Sequence, residues 1–575
     1  MVFPLVHSSG FEHAAGMSEI FQTVAGKRVF YAASPVPLTG LSVSNFKAFG
    51  HRQEIPIRPL TLVFGPNSAG KSSVMHSLML AKHIFQRGDL DVLETSAQAG
   101  AIDLGGFDQF VHRGKISNHV SLGITFPLDR DVAIAQLCSG VRNTFTAVLD
   151  PQFLNSISIE WNFGLEKSDV RNKSLILSGL NIRADGEDFV QLVHDGYPAQ
   201  ETGSKAETRA YVTTRNRQQT LLRLQRINLQ NPAVGQWLKR KFREVTGQIM
   251  SRRDLASVEA LNTDAAYGIQ AHCNGGCAIP DTAGIEFTSG MGYAELLANP
   301  PRIPKTGRAR ASKTVEVAEK LIERLADEVL KCLQVQVGDL FERISYLGPL
   351  RLLPSRMTGL PQTVDALWQS NGGETWEILA KDTKARTAVN RWLAMLKMPY
   401  ELRVQELISQ SGPPRLEGKV FSRLTWLVDR RNGAWVTPLD VGVGLSQILP
   451  LLINAATRRN HIQIMEQPEI HLHPALQAEL GDVFIESALG ERKNTFLIET
   501  HSEHLILRIM RRIRETTEGR LTRGTTPLRP NDVAILYVDS GANGSMVLEM
   551  PLNERGELVK EWPGGFFEES FNELF

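Results

Sequence analysis

The sequence predicts an α/β fold that carries a mostly helical insertion. A short apolar strand at residues 60–64 runs directly into a glycine-rich loop that opens a helix. Two further short apolar strands, 461–465 and 494–499, are each followed by a helical pattern. Short buried strands that alternate with helices are typical of a parallel sheet covered on both faces. The long stretch between these two groups is therefore assigned to an insertion.

The chain of 575 residues is long enough for several domain-sized units. Residues 1 to about 35 have no clear period and are interpreted as an extension or a loose helix. Alternation predicts strands within 41–64, 119–126 and 154–189, and helical spacing predicts helices over 205–260 and 312–334. The predicted segments are an extension (1–37), an N-terminal lobe (38–130), an insertion of strands and then a basic helical segment (131–343), a C-terminal lobe (344–515) and a C-terminal segment (516–575).

Composition excludes several classes of protein. The formal net charge is +1, so any nucleic-acid surface must be a local patch. The N-terminus has no signal-peptide pattern, and no apolar run reaches the roughly 18 residues of a membrane span, so we expect a soluble cytoplasmic protein. Reduced thiols are favoured over a metal site for the four cysteines, which are Cys138, Cys273, Cys277 and Cys332.

Residues 65–72, GPNSAGKS, match the complete phosphate-loop pattern in its required strand–loop–helix context. Glycines let successive backbone N–H groups point at phosphate oxygens, and the helix N-terminus adds its positive dipole. Lys71 would contact the β- and γ-phosphates, and the Ser72 hydroxyl would ligate Mg²⁺. The predicted nucleotide-binding residues are Gly65, Pro66, Asn67, Ser68, Ala69, Gly70, Lys71, Ser72 and Ser73.

The second half of the site is predicted at the ends of the two later strands. HIQIMEQPE (461–469) places Glu466 where a Walker B acid holds Mg²⁺. TFLIETHS (495–502) places His501 where the switch histidine of ABC ATPases senses the γ-phosphate, although a capping or core histidine is the alternative. An Asn-Lys-x-Asp guanine reader is absent from the sequence, which favours ATP over GTP.

Residues 440–447, DVGVGLSQ, begin a glycine-rich helix whose Ser446 can bond a phosphate oxygen. This segment resembles the ABC signature motif, although it departs from the LSGGQ form. In that superfamily the signature contacts the γ-phosphate held by the phosphate loop of the other subunit. The resemblance therefore implies contacts in trans from Gly442, Gly444, Ser446 and Gln447.

The whole set of motifs resembles the AAA-family ATPases related to SMC, double-strand-break repair and overcoming-lysogenization-defect (OLD) proteins. This resemblance implies an ABC/SMC-like P-loop ATPase head, ATP and Mg²⁺ as cofactors, and a homodimer or larger homo-oligomer. Several members of the wider group are ATPase subunits of bacterial anti-phage systems, such as Septu-type and PARIS-type systems. The motifs are NFKAF (45–49), GPNSAGKSS (65–73), YLGPLR (346–351), VGVGLSQILPLL (441–452), EQPEIHLHPALQ (466–477), ETHSEHLILR (499–508) and WPGGFF (562–567).

Two positions depart from the family pattern. Gln467 stands where the family has a catalytic glutamate, and Glu469 is either a substitute base or a structural acid. His473 occupies the D-loop position, where many ABC proteins have aspartate, and OLD-like proteins share this LHP form. His471 and His473 also leave a metal site open as a weaker alternative. The Q-loop glutamine is either Gln98 or Gln109, and neither has a clear signature.

The insertion contains a strong local charge asymmetry over residues 205–253, which hold two acids, Glu207 and Glu244. This segment predicts contact with a nucleic-acid backbone or an acidic partner, with a solvated helical face as the alternative. The basic residues are Lys205, Arg209, Arg215, Arg217, Arg223, Arg226, Lys239, Arg240, Lys241, Arg243, Arg252 and Arg253.

The sequence therefore predicts an ATP-driven switch that dimerises through composite ATP sites. By resemblance it serves as the sensor or scaffold of an anti-phage defence complex. OLD nucleases carry a metal-binding Toprim domain after the head, and the 516–575 segment has no such acid cluster, so the effector should be a separate nuclease or toxin. A DNA-repair ATPase that binds nucleic acid directly is the alternative. A transporter subunit is disfavoured by the long separation between the phosphate loop and the signature.

Overall fold

The computed structural model of the chain describes fourteen stretches of residues, and all structural statements concern these. They are 19–24, 27–32, 37–87, 96–97, 102–128, 154–165, 175–194, 220–229, 231–261, 270–273, 296, 299–351, 373–408 and 420–561.

The described residues form strands and helices in the following order. The strands are β1 (Glu19–Val24), β2 (Lys27–Ala32), β3 (Gly40–Ser44), β4 (Gln53–Pro56), β5 (Leu60–Phe64), β6 (Ser96–Ala97), β7 (Ile102–Asp103), β8 (Val120–Pro127), β9 (Ser156–Leu165), β10 (Leu175–Ala184), β11 (Glu187–His194), β12 (Thr220–Ile227), β13 (Gln270–Cys273), β14 (Ile344–Leu347), β15 (Tyr400–Ile408), β16 (Val420–Asp429), β17 (Trp435–Val436), β18 (Ile462–Glu466), β19 (Thr495–Glu499), β20 (Val533–Gly541) and β21 (Gly544–Glu549). The helices are α1 (Lys71–Arg87), α2 (Phe107–Phe110), α3 (Pro232–Thr246), α4 (Arg252–Leu261), α5 (Arg308–Glu342), α6 (Gly373–Lys381), α7 (Thr383–Met395), α8 (Val443–Thr457), α9 (Pro474–Leu489) and α10 (Glu503–Thr517).

A six-stranded sheet in the order β14-β18-β19-β5-β20-β21 contains the strand that precedes the phosphate-loop motif. Its first five strands are parallel, and β21 pairs antiparallel with β20. All five residues of β5 are buried because both faces of the sheet are covered. Val63 belongs to the hydrophobic cluster that includes α1 and α5, whereas Leu62 belongs to the one that includes α8, α9 and α10. This sheet confirms the predicted strands at 60–64, 461–465 and 494–499.

An eight-stranded antiparallel sheet, in the order β13-β12-β11-β10-β9-β8-β3-β4, holds strands from both the predicted N-terminal lobe and the insertion. β8 pairs with β3 on one side and with β9 on the other, so the sheet continues across the predicted boundary at residue 130. The long helix α5 and helix α1 pack together through Phe341 and Phe85, whose ring centroids are 5.2 Å apart. The ring centroids of Trp161, on β9, and Phe341 are 6.1 Å apart. This contact joins the eight-stranded sheet to the same core.

Two predictions of local structure are wrong. β12 lies inside the stretch predicted as helix, because Leu224 and Ile227 pair with Leu192 and Val190 of β11. Pairing with a neighbouring strand overrides the helical propensity of leucine, arginine and glutamine. The predicted extension contains the β1–β2 hairpin, although residues 1–18 lie outside the described residues.

The predicted C-terminal segment supplies an interior strand of the six-stranded sheet. β20 pairs parallel with β5 over five residues, from Val533 beside Leu60 to Tyr537 beside Phe64. Sequence analysis did not predict this strand, although VAILYV is an apolar run of the expected length. The phosphate-loop strand therefore has β19 on one side and β20 on the other.

A three-stranded antiparallel sheet, β15-β16-β17, adjoins the signature half of the chain. Its buried residues Leu402 and Leu427 pack in the same cluster as Trp376 of α6 and Trp392 of α7. Among the described helices, none combines the length and the apolarity that crossing a membrane requires.

Candidate functional site

The phosphate loop joins β5 to α1 and requires glycine at two positions. Gly65 has φ 142° and Gly70 has φ 103°, which L side chains rarely adopt. A Cβ atom on Gly65 would lie 2.4 Å from the carbonyl oxygen of Val538, and one on Gly70 would lie 2.5 Å from the Cβ of Ala48. Close packing against Val538 or Ala48 and a positive φ therefore require glycine at both positions.

Lys71 is held over this loop. Its side chain is 4% exposed, and its ammonium group donates to the carbonyl oxygens of Gly65 at 3.1 Å and Pro66 at 2.8 Å. Burial lowers the pKa of the Lys71 ammonium, and the charges of Glu499 and Glu469 act in the opposite direction. Pro66, Asn67 and Ser68 are exposed, while Ala69 and Ser73 are buried. Three residues of the loop are thus exposed, whereas its lysine is buried.

Glu499 is an acid that sequence analysis did not assign to the site, and it is hydrogen-bonded directly to Ser72. The Ser72 hydroxyl donates to Glu499 Oε2 at 2.7 Å. Glu499 ends β19 directly beside Glu466, which ends β18. Burial raises the pKa of Glu499 to about 7, with the Ser72 hydroxyl acting against the shift and the charge of Glu466 adding to it. The available signal was its place at the end of a buried strand, one residue before the Thr-His pair.

Glu466 is 8% exposed, and its Oε1 atom has no hydrogen-bond partner. His76 Nε2 lies 3.4 Å from that oxygen, and His76 Nδ1 lies 2.9 Å from the ammonium group of Lys47. Because an ammonium group only donates, Nδ1 is the acceptor and the ring proton of neutral His76 lies on Nε2, on the side of Glu466. Burial raises the pKa of the Tyr346 hydroxyl, and the charge of Glu466 adds to this effect. Lys47 and His76 are thus two further site residues that the sequence did not single out.

Glu469 connects the Walker B segment to the switch segment. Its Oε1 accepts the backbone N–H of His501 at 2.6 Å, whereas its buried Oε2 has no hydrogen-bond partner. Burial raises the pKa of the Glu469 carboxyl, and the His501 N–H acts against the shift. Burial also lowers the pKa of the His501 imidazole, to which the charge of Lys71 adds. One carboxylate oxygen of Glu469 therefore positions the backbone of His501, and the other oxygen has no hydrogen-bond partner.

Gln467 is fixed by its backbone. It has φ 45°, its N–H donates to the carbonyl oxygen of Glu499 at 2.8 Å, and its own carbonyl accepts from the N–H of Ile470 at 3.2 Å. A glutamine in the left-handed region is uncommon and is held there by its surroundings. The chain thus turns sharply directly after Glu466.

The signature segment lies at the start of α8, whose N-cap is Gly442. Gly442 is exposed, and a Cβ atom on it would meet nothing within 4 Å. A Cβ atom on Gly444 would lie 2.9 Å from the carbonyl oxygen of His471, so this glycine permits a close approach between the signature and the D-loop. Ser446 is 4% exposed, and the Gln447 amide pairs with the backbone of Arg351. Of the four predicted signature residues, Gly442 is the exposed one.

His473 is the exposed N-cap of α9. Its Nδ1 accepts from the N–H of Ala475 at 3.3 Å, and Pro474 occupies the first position of the helix. His471, also exposed, has φ 65°. Of the two Q-loop candidates, Gln109 is exposed in α2 and Gln98 lies outside the described residues.

The residues at this edge of the sheet suit a magnesium–nucleotide complex. Ser72 and Glu466 supply the oxygen ligands that Mg²⁺ prefers, and the phosphate loop supplies the anion cradle. Over the described ranges, no group of three or more His, Cys, Asp or Glu side chains is arranged to hold a metal ion by itself. Mg²⁺ normally binds one or two carboxylates together with phosphate oxygens and water, so this donor set agrees with it. Cys138 and Cys277 lie outside the described residues.

The basic segment is only partly available for contacts. Lys241 is buried and donates to Glu244 at 2.7 Å, so its inclusion among the contact residues was wrong. Arg223 and Arg226 lie on β12, and residues 205–217 lie outside the described residues. The exposed basic residues on α3 and α4 are Lys239, Arg240, Arg243, Arg252 and Arg253.

Two family models match parts of the chain. Residues 294–508 match a family described as "AAA domain, putative AbiEii toxin, Type IV TA system". Residues 528–575 match a family described as a protein of unknown function, DUF3696. The first match spans the signature, Glu466 and His501, and the phosphate loop precedes it. Residues 294–508 are thus similar to an AAA domain, in agreement with the resemblance predicted from the motifs.

Solved structures with similar folds include heads of SMC proteins. The SMC head domain from Thermotoga maritima is 9% identical, with a TM-score of 0.33, and the match covers 90% of this chain and 99% of that one. The Smc head domain derived from Pyrococcus furiosus, bound to the C-terminal domain of ScpA, is 10% identical, with a TM-score of 0.37 and coverage of 94% and 98%. The Smc head domain from Pyrococcus yayanosii is 11% identical, with a TM-score of 0.36 and coverage of 91% and 98%. No curated protein matches the chain by sequence.

The glycine requirement of the loop can be tested by Gly70→Ala. The added Cβ would collide with Ala48 at a left-handed φ, so we expect a loss of about 1–3 kcal/mol in unfolding free energy. We also expect ATP binding at least about tenfold weaker, measured by denaturation and by titration with ATP. Gly235→Ala is the matched control, since Gly235 lies in helix α3 of the insertion and the nearest atom to its added Cβ would be the carbonyl oxygen of Leu229, at an ordinary 3.5 Å. Equal ATP binding by the two variants would contradict this account of the loop.

Proposed function

We propose that this chain, an AAA-type ATPase with an α/β head of the ABC/SMC-like type, hydrolyses ATP as a switch and dimerises through composite ATP sites. Its role is the ATPase sensor or scaffold subunit of a bacterial anti-phage defence complex, with a separate nuclease or toxin as effector. The observation that carries the ATPase proposal is the cluster of buried carboxylates, Glu466, Glu469 and Glu499, beside Lys71 and Ser72.

This cluster has the charge distribution that a magnesium–nucleotide complex requires. Lys71 and the N-terminus of α1 would bind the phosphates, and Ser72 and Glu466 would hold Mg²⁺, which offsets phosphate charge when bound. Three buried carboxylates close together repel one another, and the raised pKa of Glu499 reports part of that repulsion. Glu499 would then orient the Ser72 hydroxyl through their hydrogen bond. His501, whose backbone is tied to Glu469, would contact the γ-phosphate.

Slow turnover follows from the residue next to Glu466. An amide at Gln467 can orient an attacking water but cannot accept its proton. Glu469 has a free buried oxygen, but its other oxygen already holds the His501 loop. We therefore infer an ATP-bound dimer that persists, which suits a protein that stores a state until an effector is released.

The defence role is supported by the description of the matched AAA family, which names a toxin of a type IV toxin–antitoxin system. That description belongs to the family and gives a context in which ATPase and toxin activities are linked. In this chain the segment after α10 contributes β20 and β21 to the ATPase sheet. We therefore assign the toxic activity to a separate polypeptide.

Composite sites can be tested with two variants that are each inactive. Lys71→Ala removes the phosphate-loop charge, and Gly442→Glu places a carboxylate where the partner's γ-phosphate would bind. Gly442→Glu should fold, because position 442 is open and an acid is favourable at a helix N-terminus. A mixed dimer would contain one intact site, so random mixing should restore up to about a quarter of wild-type phosphate release. Absence of recovery in mixtures shown to contain mixed dimers would exclude action in trans.

The residue that handles the attacking water can be identified by conservative exchanges. Gln467→Glu adds a general base and should raise the rate of phosphate release, since such a base typically contributes about 10²–10⁴-fold. Glu469→Gln should change the rate little, because an amide oxygen can still accept the His501 N–H. If Glu469→Gln abolishes phosphate release while Gln467→Glu has no effect, Glu469 is the base.

The alternative, a DNA-repair ATPase, is favoured by the exposed basic residues of α3 and α4. If they contact nucleic acid, changing Lys239, Arg240 and Arg243 together to glutamate should weaken DNA binding and flatten its salt dependence. Fluorescence anisotropy across a salt series measures both quantities. Lys241→Glu alone is not a suitable control, because that side chain is buried. DNA binding that is undetectable in the wild type would remove this alternative.

A further inference from the structure

Arg351 is a buried cation at the junction of the signature helix and the Walker B strand. It follows β14, the edge strand that pairs with β18, and is 5% exposed. Residue 351 closes the YLGPLR motif, to which neither the sequence nor the proposed function gives a role. Its surroundings connect it to both halves of the ATP site.

The backbone of Arg351 is tied to the signature helix. Its N–H donates to Gln447 Oε1 at 3.4 Å, and its carbonyl oxygen accepts from Gln447 Nε2 at 3.1 Å. One side-chain amide thus bonds both polar groups of one residue, as a neighbouring strand would. A displacement of α8 that carries Gln447 would therefore carry the backbone of Arg351 with it.

The guanidinium group of Arg351 is tied to the Walker B turn. Its Nη2 donates to the carbonyl oxygens of Glu466 at 3.0 Å and Gln467 at 3.2 Å. These are the last residue of β18 and the residue whose left-handed φ produces the sharp turn. The same turn continues to Glu469, which holds the backbone of His501. Arg351 therefore holds the backbone of Glu466 and of the residue that follows it.

A role limited to packing does not account for this arginine. Its Nε and Nη1 atoms are buried without hydrogen-bond partners, which is costly for a cation, and an apolar side chain of similar volume would avoid that cost. Burial lowers the pKa of Arg351 to about 10, and the charge of Glu469 acts in the opposite direction. Electrostatic attraction to Glu469 therefore offsets part of the cost of burying the charged Arg351 side chain.

We propose that Arg351 is a positioning residue that couples the signature helix to the Walker B acids of the same subunit. The proposal rests on the composite ATP sites of the proposed function. In such a dimer the signature helix of one subunit belongs to one ATP site and its Walker B acids belong to the other. A phosphate bound at the start of α8 would shift Gln447, then Arg351, then the carbonyls of Glu466 and Gln467. Hydrolysis at each site would thus be faster when ATP occupies the other.

The test compares Arg351→Met and Gln447→Met with the wild type in the full-length protein. Four quantities are measured: ATP affinity, kcat, the Hill coefficient of ATP hydrolysis and the melting temperature. We expect a wild-type Hill coefficient clearly above 1 that falls to about 1 in both variants, while the Kd of Arg351→Met for ATP changes less than about threefold. We also expect kcat to fall about tenfold or more, with non-additive losses in the double variant because both changes break one connection.

Arg343→Met is the matched control. Arg343 precedes the other end of β14 and donates to the backbone carbonyl of Asn460 at 2.8 Å, at the edge of the sheet opposite the ATP site. We expect it to lower the melting temperature and leave the Hill coefficient as in the wild type. If Arg351→Met fails to fold, Gln447→Met and the conservative Arg351→Lys carry the same comparison.

The outcomes separate this inference from the proposed function. A wild-type protein that neither binds ATP nor dimerises with it overturns both. A wild type that hydrolyses ATP as a dimer with a Hill coefficient of 1 overturns the coupling alone. So does an unchanged Hill coefficient in Arg351→Met or Gln447→Met, or an equal loss of cooperativity in Arg343→Met.

Discussion

Parallel pairing of β18, β19 and β5 is the constraint on which the candidate site depends. The three strands end at one edge of the sheet, so residues far apart in sequence meet there. Their register places Glu466 beside Glu499, and the loop after β5 brings Ser72 to the latter. The packing of β20 against β5 closes the loop from the other side, where the Val538 carbonyl approaches Gly65. A shift of one residue in any of these pairings would separate the acids from the phosphate loop.

The sequence predicted the parts of this arrangement that are local. Phosphate-loop glycines, a strand ending in Glu466 and a helix beginning near Gly442 each have short-range patterns with a physical cause. Glu499 and Arg351 were missed because their roles come from pairings between distant segments, which periodicity does not reveal. The burial of Ser446 and Lys241 was missed for the same reason, since exposure is set by what packs over a residue. β12 is held by pairing with β11 and β13, and β20 by pairing with the distant β5, so local propensity misjudged one strand and overlooked the other.

Buried polar atoms without partners at this site indicate that stability has been given up for function. Glu466 Oε1, Glu469 Oε2 and two nitrogens of Arg351 are all buried without hydrogen bonds. Most other such atoms among the described residues, for example Trp161 Nε1, are neutral and less costly to bury. Charged atoms in this condition raise the free energy of the folded protein unless a ligand or a rearrangement supplies partners. Their concentration around one turn makes that turn responsive to whatever binds beside it.

Two residues of the signature segment, Gly442 and Gln447, face different surroundings. Gly442 is exposed at the N-cap of α8, where backbone N–H groups and the helix dipole favour an anion from outside the subunit. Gln447, about one turn further along, points inward to the backbone of Arg351. A rigid helix that binds an external phosphate at its first turn must carry its second turn with it, since helix geometry does not absorb small displacements locally. In the proposed dimer, α8 would therefore connect the partner's nucleotide to the Walker B turn of its own subunit.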